Sequence, residues 1–229
     1  MFKKALTFSY DDGVRQDKRL IELFNKYGMK GTFNLNSGMM HPGTLWHYKD
    51  EIPVYRLEPH ENLQALYRGH EVAVHGVDHI HLNEATREET MHEVLDDQKA
   101  LSEMFGYDIC GMAYAFGTWK DENLDIIRDA GIRYSRAVKT THSFDLWDGD
   151  MLVYQGTCHH GDPDIFNLAK QFIEMKPDKP QLFYIWGHSY EFDYGDDWGR
   201  MEELLALLSG HDDILYGTNK EVFEYFGMI

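Results

Sequence analysis

Two adjacent carboxylates, Asp11 and Asp12, follow the apolar run Ala5-Leu6-Thr7-Phe8-Ser9 and precede Gly13, which permits a tight turn. By itself an Asp-Asp-Gly step reads as a solvated turn. A second group changes that reading. Glu71-Val72-Ala73-Val74 leads into His75-Gly76-Val77-Asp78-His79-Ile80-His81, an apolar strand running into three imidazoles. His75 and His79 flank a glycine-containing turn at the close spacing of first-row metal ligands. Two imidazoles and one carboxylate, with positions left open for water, are the donor set of a catalytic zinc site, whereas a structural site would be closed. His81 is expected outside the coordination sphere. Two further apolar runs end in residues of interest, Met112-Ala113-Tyr114-Ala115-Phe116-Gly117 and Leu182-Phe183-Tyr184-Ile185-Trp186-Gly187-His188.

The elements that must position these groups are short runs rich in β-branched and aromatic residues, alternating with helical patterns. The expected strands are 5–9, 31–36, 71–75, 111–116, 133–138, 151–155, 182–186 and 214–217. The expected helices are 17–27, 87–105, 123–130, 164–175, 201–208 and 219–226. This alternation predicts an α/β protein with a mostly parallel sheet. Without a linker or a break in composition, residues 1–229 are expected to form one barrel-like domain, with a doubly wound open sheet as the competing architecture. In a parallel barrel the carboxyl ends of the strands form one face. Asp11, Asp12, His75, His79, Phe116 and His188 all fall just past such ends. The stretch 37–59, containing Pro42, Gly43, Pro53 and Pro59, reads as a long loop over that mouth, where Trp46 could line a substrate groove.

Composition excludes several classes. A hydrophobic content of 43% supports a full core, so the chain is not a disordered tail. Lys+Arg of 22 against Asp+Glu of 39 gives a net charge of −17, which repels phosphate backbones and anionic lipid surfaces; neither nucleic acid nor membrane is an expected partner. Two cysteines, Cys110 and Cys158, make no disulfide framework and are expected to be free thiols. Met1-Phe2-Lys3-Lys4 passes directly into a core strand, which leaves no room for a signal peptide and predicts a cytoplasmic protein acting on a small soluble substrate.

These motifs resemble those of the polysaccharide deacetylase family, the NodB-homology or chitin deacetylase-like group, over nearly the whole chain. Thr7-Phe8-Ser9-Tyr10-Asp11-Asp12-Gly13 is similar to its Thr-Phe-Asp-Asp-Gly motif. The segment from His75 to His79 resembles His-Ser/Thr-x-x-His, with Gly76 in place of the hydroxyl residue. The resemblance implies a distorted (β/α) barrel of about seven strands. It also implies one divalent ion, zinc first with cobalt, nickel or manganese as alternatives, held by Asp12, His75 and His79, with Asp11 as the base. The family's Arg-x-Pro-Tyr-Gly motif is matched only by Ala113-Tyr114-Ala115-Phe116-Gly117. The arginine that would tether the base is missing, and Arg133 and Arg136 on the next strand are the candidates to replace it. Asp145-Leu146-Trp147 loosely matches the motif that pairs an Asp with a Trp, and His188 falls at the position of the last motif's histidine.

The resulting expectation is metal-dependent hydrolysis of an N-acetyl group, on an amino sugar or short oligosaccharide. Asp11 deprotonates the attacking water, the Phe116 N–H stabilises the oxyanion, and His188 protonates the leaving amine, kept charged by Asp145. Trp46, Tyr114 and Trp186 would contact the substrate. Two alternatives remain at this level: an allantoinase-like hydrolase of a non-sugar amide or cyclic imide, and a degenerate protein that binds metal or sugar without catalysis. Retention of Asp11 and His188 argues against the latter. A carboxylate-only glycosidase would leave the two imidazoles unexplained.

Overall fold

Every residue of strand β1 (Lys4–Asp11) is buried, the signature of a strand covered on both faces by parallel neighbours and helices. The computed structural model describes the chain except for Thr44, His60 and the side chain of Asp196. In chain order its other strands are β2 (Gly31–Leu35), β3 (Leu45–Tyr48), β4 (Ile52–Tyr55), β5 (Glu71–Val74), β6 (Gly111–Ala113), β7 (Tyr134–Arg136), β8 (Cys158–His159), β9 (Gln181–Gly187) and β10 (Ile214–Tyr216). Seven of them form the continuous order β7-β6-β5-β2-β1-β9-β8, and β10 pairs with the start of β1. All pairings in this sheet are parallel. The α/β expectation holds, and the sheet curls into a distorted, incomplete (β/α) barrel.

One segment nearly closes the barrel, and it corrects a strand expected at 151–155. Asp150 accepts from the Leu152 N–H at 2.9 Å and starts a 3-10 turn over Met151–Val153. Only Tyr154 then pairs with β7, donating to Ser135 O at 2.9 Å and accepting from Ala137 N at 2.9 Å. A few residues on, the same segment is β8 and pairs with β9. A chain that must cross from one sheet edge to the other cannot stay in register with either.

Helices α1 (Asp17–Tyr27), α2 (Leu63–Leu66), α3 (Arg87–Met91), α4 (Asp97–Phe105), α5 (Asp121–Asp129), α6 (Ile165–Glu174), α7 (Trp198–Leu208) and α8 (Asn219–Tyr225) complete the layer architecture. In α1 the stripe Leu20, Ile21 and Phe24 is buried, and Gly28 ends the helix at φ 67°, a left-handed conformation cheap only for glycine. The helix expected over 87–105 contains a π segment at His92–Asp96 between α3 and α4. The long loop expected at 37–59 carries an antiparallel hairpin, β3 against β4, which packs over the barrel mouth through Trp46, Tyr48 and Tyr190. Among the described residues no helix is long and apolar enough to cross a membrane. Both Cys110 and Cys158 are free.

Candidate active site

Asp11 closes β1, and its register partner on β2 is Asn34, whose Nδ2 donates to Asp11 Oδ1 at 2.7 Å. Arg136 at the end of β7 donates from NH2 to both Asp11 oxygens, at 2.6 and 2.5 Å. Both partners of this ion pair are buried, and the guanidinium lies over the Trp186 ring, 4.7 Å from its centroid. Burial pushes the Asp11 carboxyl up, but Arg136, with the charged His188 beside it, more than offsets this and holds it below the usual carboxylate range. Arg136 therefore stands where the missing cation was expected. Its register partner on β6 is Ala113, the residue that the sequence comparison with the family motif set at the arginine position. Arg133, the other candidate, is spent at the surface on Glu224 at 2.7 Å.

Asp12, one residue on, adopts φ 85°, and His79 adopts φ 56°. Such left-handed conformations of side-chain-bearing residues store strain and occur where function fixes the backbone. They bring Asp12 Oδ1 to 3.4 Å from His79 Nε2 and 3.8 Å from His75 Nε2, so that Asp12, His75 and His79 form a group able to hold a metal ion. The donor chemistry fits a divalent ion on three counts. His75 Nδ1 lies 2.8 Å from Ala113 O, which assigns its proton there and leaves the Nε2 lone pair facing Asp12. Burial lowers the pKa of His75 and takes that of His79 to about 4, so both imidazoles are neutral at neutral pH. Asp12 Oδ1 is buried without a well-aligned hydrogen bond, although the Arg56 guanidinium stands 3.1 Å away. Burial opposes the Asp12 charge, and the Arg56 guanidinium, with the charged His188 next, overcomes it, so Asp12 stays ionised.

The turn that carries both histidines is gripped from behind. Asn36 Nδ2 donates to the carbonyls of His75 and Gly76 at 2.7 and 2.8 Å. Asp97 Oδ2 accepts from the N–H groups of the same two residues at 3.1 and 3.0 Å, and Glu93 accepts from Asp78 N–H. Gly76 has φ 88°, and a Cβ added there would strike Glu93 Oε2. The Glu93 carboxylate thus occupies the space that a side chain at position 76 would need.

On the far side of Asp11, His188 follows β9 with its Nε2 3.8 Å from Asp11 Oδ2. The carboxylate beside it is not Asp145, which is turned to solvent and paired with Lys179 at 2.9 Å and Gln181 at 2.8 Å. It is Glu191, three residues on in the turn after β9, 3.5 Å from His188 Nδ1. Burial disfavours a charged His188, but Glu191, Asp12 and Asp11 outweigh it and raise its pKa to about 9. Sequence reasoning missed Glu191; the available signal was the i, i+3 spacing of His188 and Glu191 and the adjacent pair His159-His160, whose Nε2 atoms lie 2.9 and 3.2 Å from the same carboxylate.

The remaining expected residues divide. Phe116 has φ 56° and exposes its ring, which stacks on His81 at 3.9 Å and meets His79 edge-on at 4.6 Å. A groove of about 450 Å³ runs along His79, His81 and Phe116. Trp46, on β3, lies over Arg56 at 4.8 Å. Tyr114 is not at the site: it is 1% exposed, stacks on Trp119 and donates to Leu152 O at 2.7 Å. As a residue following β6 it alternates away from the barrel mouth into the core. Asp11, Asp12, His75, His79, Phe116, Trp186 and His188 are brought to one face, and Asp145 and Tyr114 are not.

The sequence profile of the family described as polysaccharide deacetylase matches residues 2–135, more than half of the chain. Among curated proteins, YxkH of Bacillus subtilis (strain 168), a candidate polysaccharide deacetylase, is 25% identical over 140 residues, covering 60% of this chain and 45% of its own. The chain thus spans less than half the length of that relative. In fold it is similar to a candidate polysaccharide deacetylase from Mycobacterium smegmatis, with a TM-score of 0.66 at 14% identity over 99% of this chain and 91% of that one. It is also similar to a 4-alpha-glucanotransferase from Thermococcus litoralis, with a TM-score of 0.68 at 14% identity over 99% and 41%. Fold alone therefore does not select the chemistry. With the profile match and its Asp-Asp-Gly and His-x-x-x-His motifs brought together at the barrel mouth, the chain belongs to the polysaccharide deacetylase family.

Proposed function

We propose that this protein is a metal-dependent amide hydrolase that removes an N-acetyl group from an amino sugar or short oligosaccharide. The observation that carries this reading is the placement of Asp11, fixed by Arg136 and Asn34, between the Asp12-His75-His79 group and the charged His188. Asp12, His75 and His79 would hold a divalent ion, which would supply Lewis acidity for an acyl carbonyl and would lower the pKa of water from about 15.7 toward 7. Asp11, ionised and with no role as a ligand, takes the proton of the attacking water. The Phe116 N–H, in its fixed left-handed turn, donates to the oxyanion, an interaction whose loss typically costs about 100 to 1,000-fold in rate. His188 gives its proton to the leaving amine and is held charged by Glu191. The exposed Phe116 ring and the adjoining groove offer an apolar face for a sugar ring.

The test is a metal-replete protein screened for acid release from acetylated amino sugars, oligosaccharides and small cyclic amides, together with two variants. Asp11→Asn is expected to keep bound metal and lose amide hydrolysis. His188→Ala is expected to keep metal and lose amide hydrolysis far more than hydrolysis of an activated ester, whose leaving group needs no acid. Equal damage to both substrates removes His188 from the acid role, and acid release only from cyclic amides replaces the sugar substrate.

A further inference from the structure

Glu191 gathers more imidazoles than a single proton donor requires. His159, His188 and Glu191 each offer one ligand atom, and these atoms lie within 4.8 Å of one another. The separations from the carboxylate are 2.9 Å for His159 and 3.5 Å for His188. Zinc bonds of about 2.0–2.2 Å to nitrogen and oxygen put neighbouring donors of a tetrahedral site about 3.3 Å apart, close to the two separations from the carboxylate. His188 Nδ1 is buried and stands 3.5 Å from Glu191 Oε1 without a well-aligned hydrogen bond among the described residues, so the pair is loosely held. A cavity of about 290 Å³ opens on His159 and Glu191 from the side of the β3–β4 hairpin, and Arg200, on its rim, is occupied by the carbonyls of His160 and Asp162. Two imidazoles and one carboxylate with an open position repeat the donor chemistry of the Asp12 group on the opposite face of the same His188 ring.

We propose that His159, His188 and Glu191 form a second divalent-cation site whose occupation inhibits the enzyme. Coordination requires the Nδ1 lone pair, so the proton on that atom leaves to solvent as the ion binds. Glu191 is turned from partner of a charged imidazole into a ligand, and His188 no longer has an ionic form with a proton to give. The site itself rests on geometry; its inhibitory effect rests on the acid role of His188 proposed above. Excess zinc then acts as a reversible off-switch, while the ion at Asp12, His75 and His79 stays in place.

Protein carrying one equivalent of Zn²⁺ is titrated with further Zn²⁺ by calorimetry in buffers of different ionisation enthalpy, with amide hydrolysis followed in parallel. A second equivalent is expected to bind with proton release while hydrolysis falls. His159→Gln is expected to weaken the second event by about tenfold or more while retaining the first equivalent, with its far-UV circular dichroism unchanged. A wild-type protein that takes up one equivalent only at millimolar Zn²⁺, or a second event unaltered in His159→Gln, overturns the site. Uptake of the second equivalent with undiminished amide hydrolysis leaves the site standing and overturns its inhibitory effect together with the acid role of His188.

Discussion

The buried pair of Arg136 and Asp11 sets the energetics of individual residues here. Arg136 is 0% exposed, so removing its charge leaves Asp11 uncompensated in a low-dielectric interior. Arg136→Met is expected to destabilise the protein by about 3–5 kcal/mol, whereas adding Asp11→Asn restores most of that loss without restoring activity; urea unfolding of both variants checks the difference. His188 makes the second residue-scale prediction. Its folded pKa of about 9 lies above an ordinary histidine value of about 6.5. Its stabilising contribution to the metal-free protein is therefore complete below about pH 6.5 and is lost as pH rises through about 9. Glu191→Gln is expected to flatten that decline, and NMR titration of the imidazole reads the shift directly. The i, i+3 spacing of His188 and Glu191 stood in the sequence, but it acquires meaning only once the chain turns after β9. Arg136 was visible only as one of two arginines on a strand of alternating faces.

Among the elements, the turn 75–79 and the π segment behind it act together. The extra residue in the π segment sets Glu93 and Asp97 so that both carboxylates cap backbone N–H groups of the turn, an arrangement typical of π bulges at functional sites. Gly76→Ser, which restores the family's usual residue type, is expected to damage this chain: the new Cβ must adopt φ near 88° and displace the Glu93 carboxylate. The expected cost is about 1–3 kcal/mol in stability and about 10–100-fold in metal affinity, measured by thermal unfolding and competition with a chelator. Periodicity placed the helix 87–105 correctly but could not show the π segment, since one extra residue barely disturbs an apolar stripe. The hairpin β3–β4 was hidden for a different reason: a short two-stranded ribbon is stabilised by what it packs against, and Tyr190 lies far along the chain.

At the scale of the whole molecule, the net charge of −17 favours cationic ligands over anionic ones. Added salt is expected to lower kcat/KM for amino-sugar oligomers that carry free amines, by about threefold or more between low and half-molar salt, and to leave neutral oligomers nearly unchanged; steady-state kinetics across a sodium chloride series decides it. The sequence alone determined the α/β class, the parallel strands that end in Asp11, His75 and His188, and the motifs of the polysaccharide deacetylase family. These follow from periodicity and adjacency, which are local properties of a chain. The partners of those residues were decided only by the tertiary structure. Asp11 meets Arg136 across a separation of 125 residues, and the chain order gives no reason to prefer it to Arg133. Asp145 looked like the partner of His188 by motif, yet it pairs with Lys179 and Gln181 at the start of β9, while His188 follows the other end of that strand and has Glu191 beside it. Coulombic pairing depends on distance in space, and barrel closure, which sets those distances, is a property of all the strands at once.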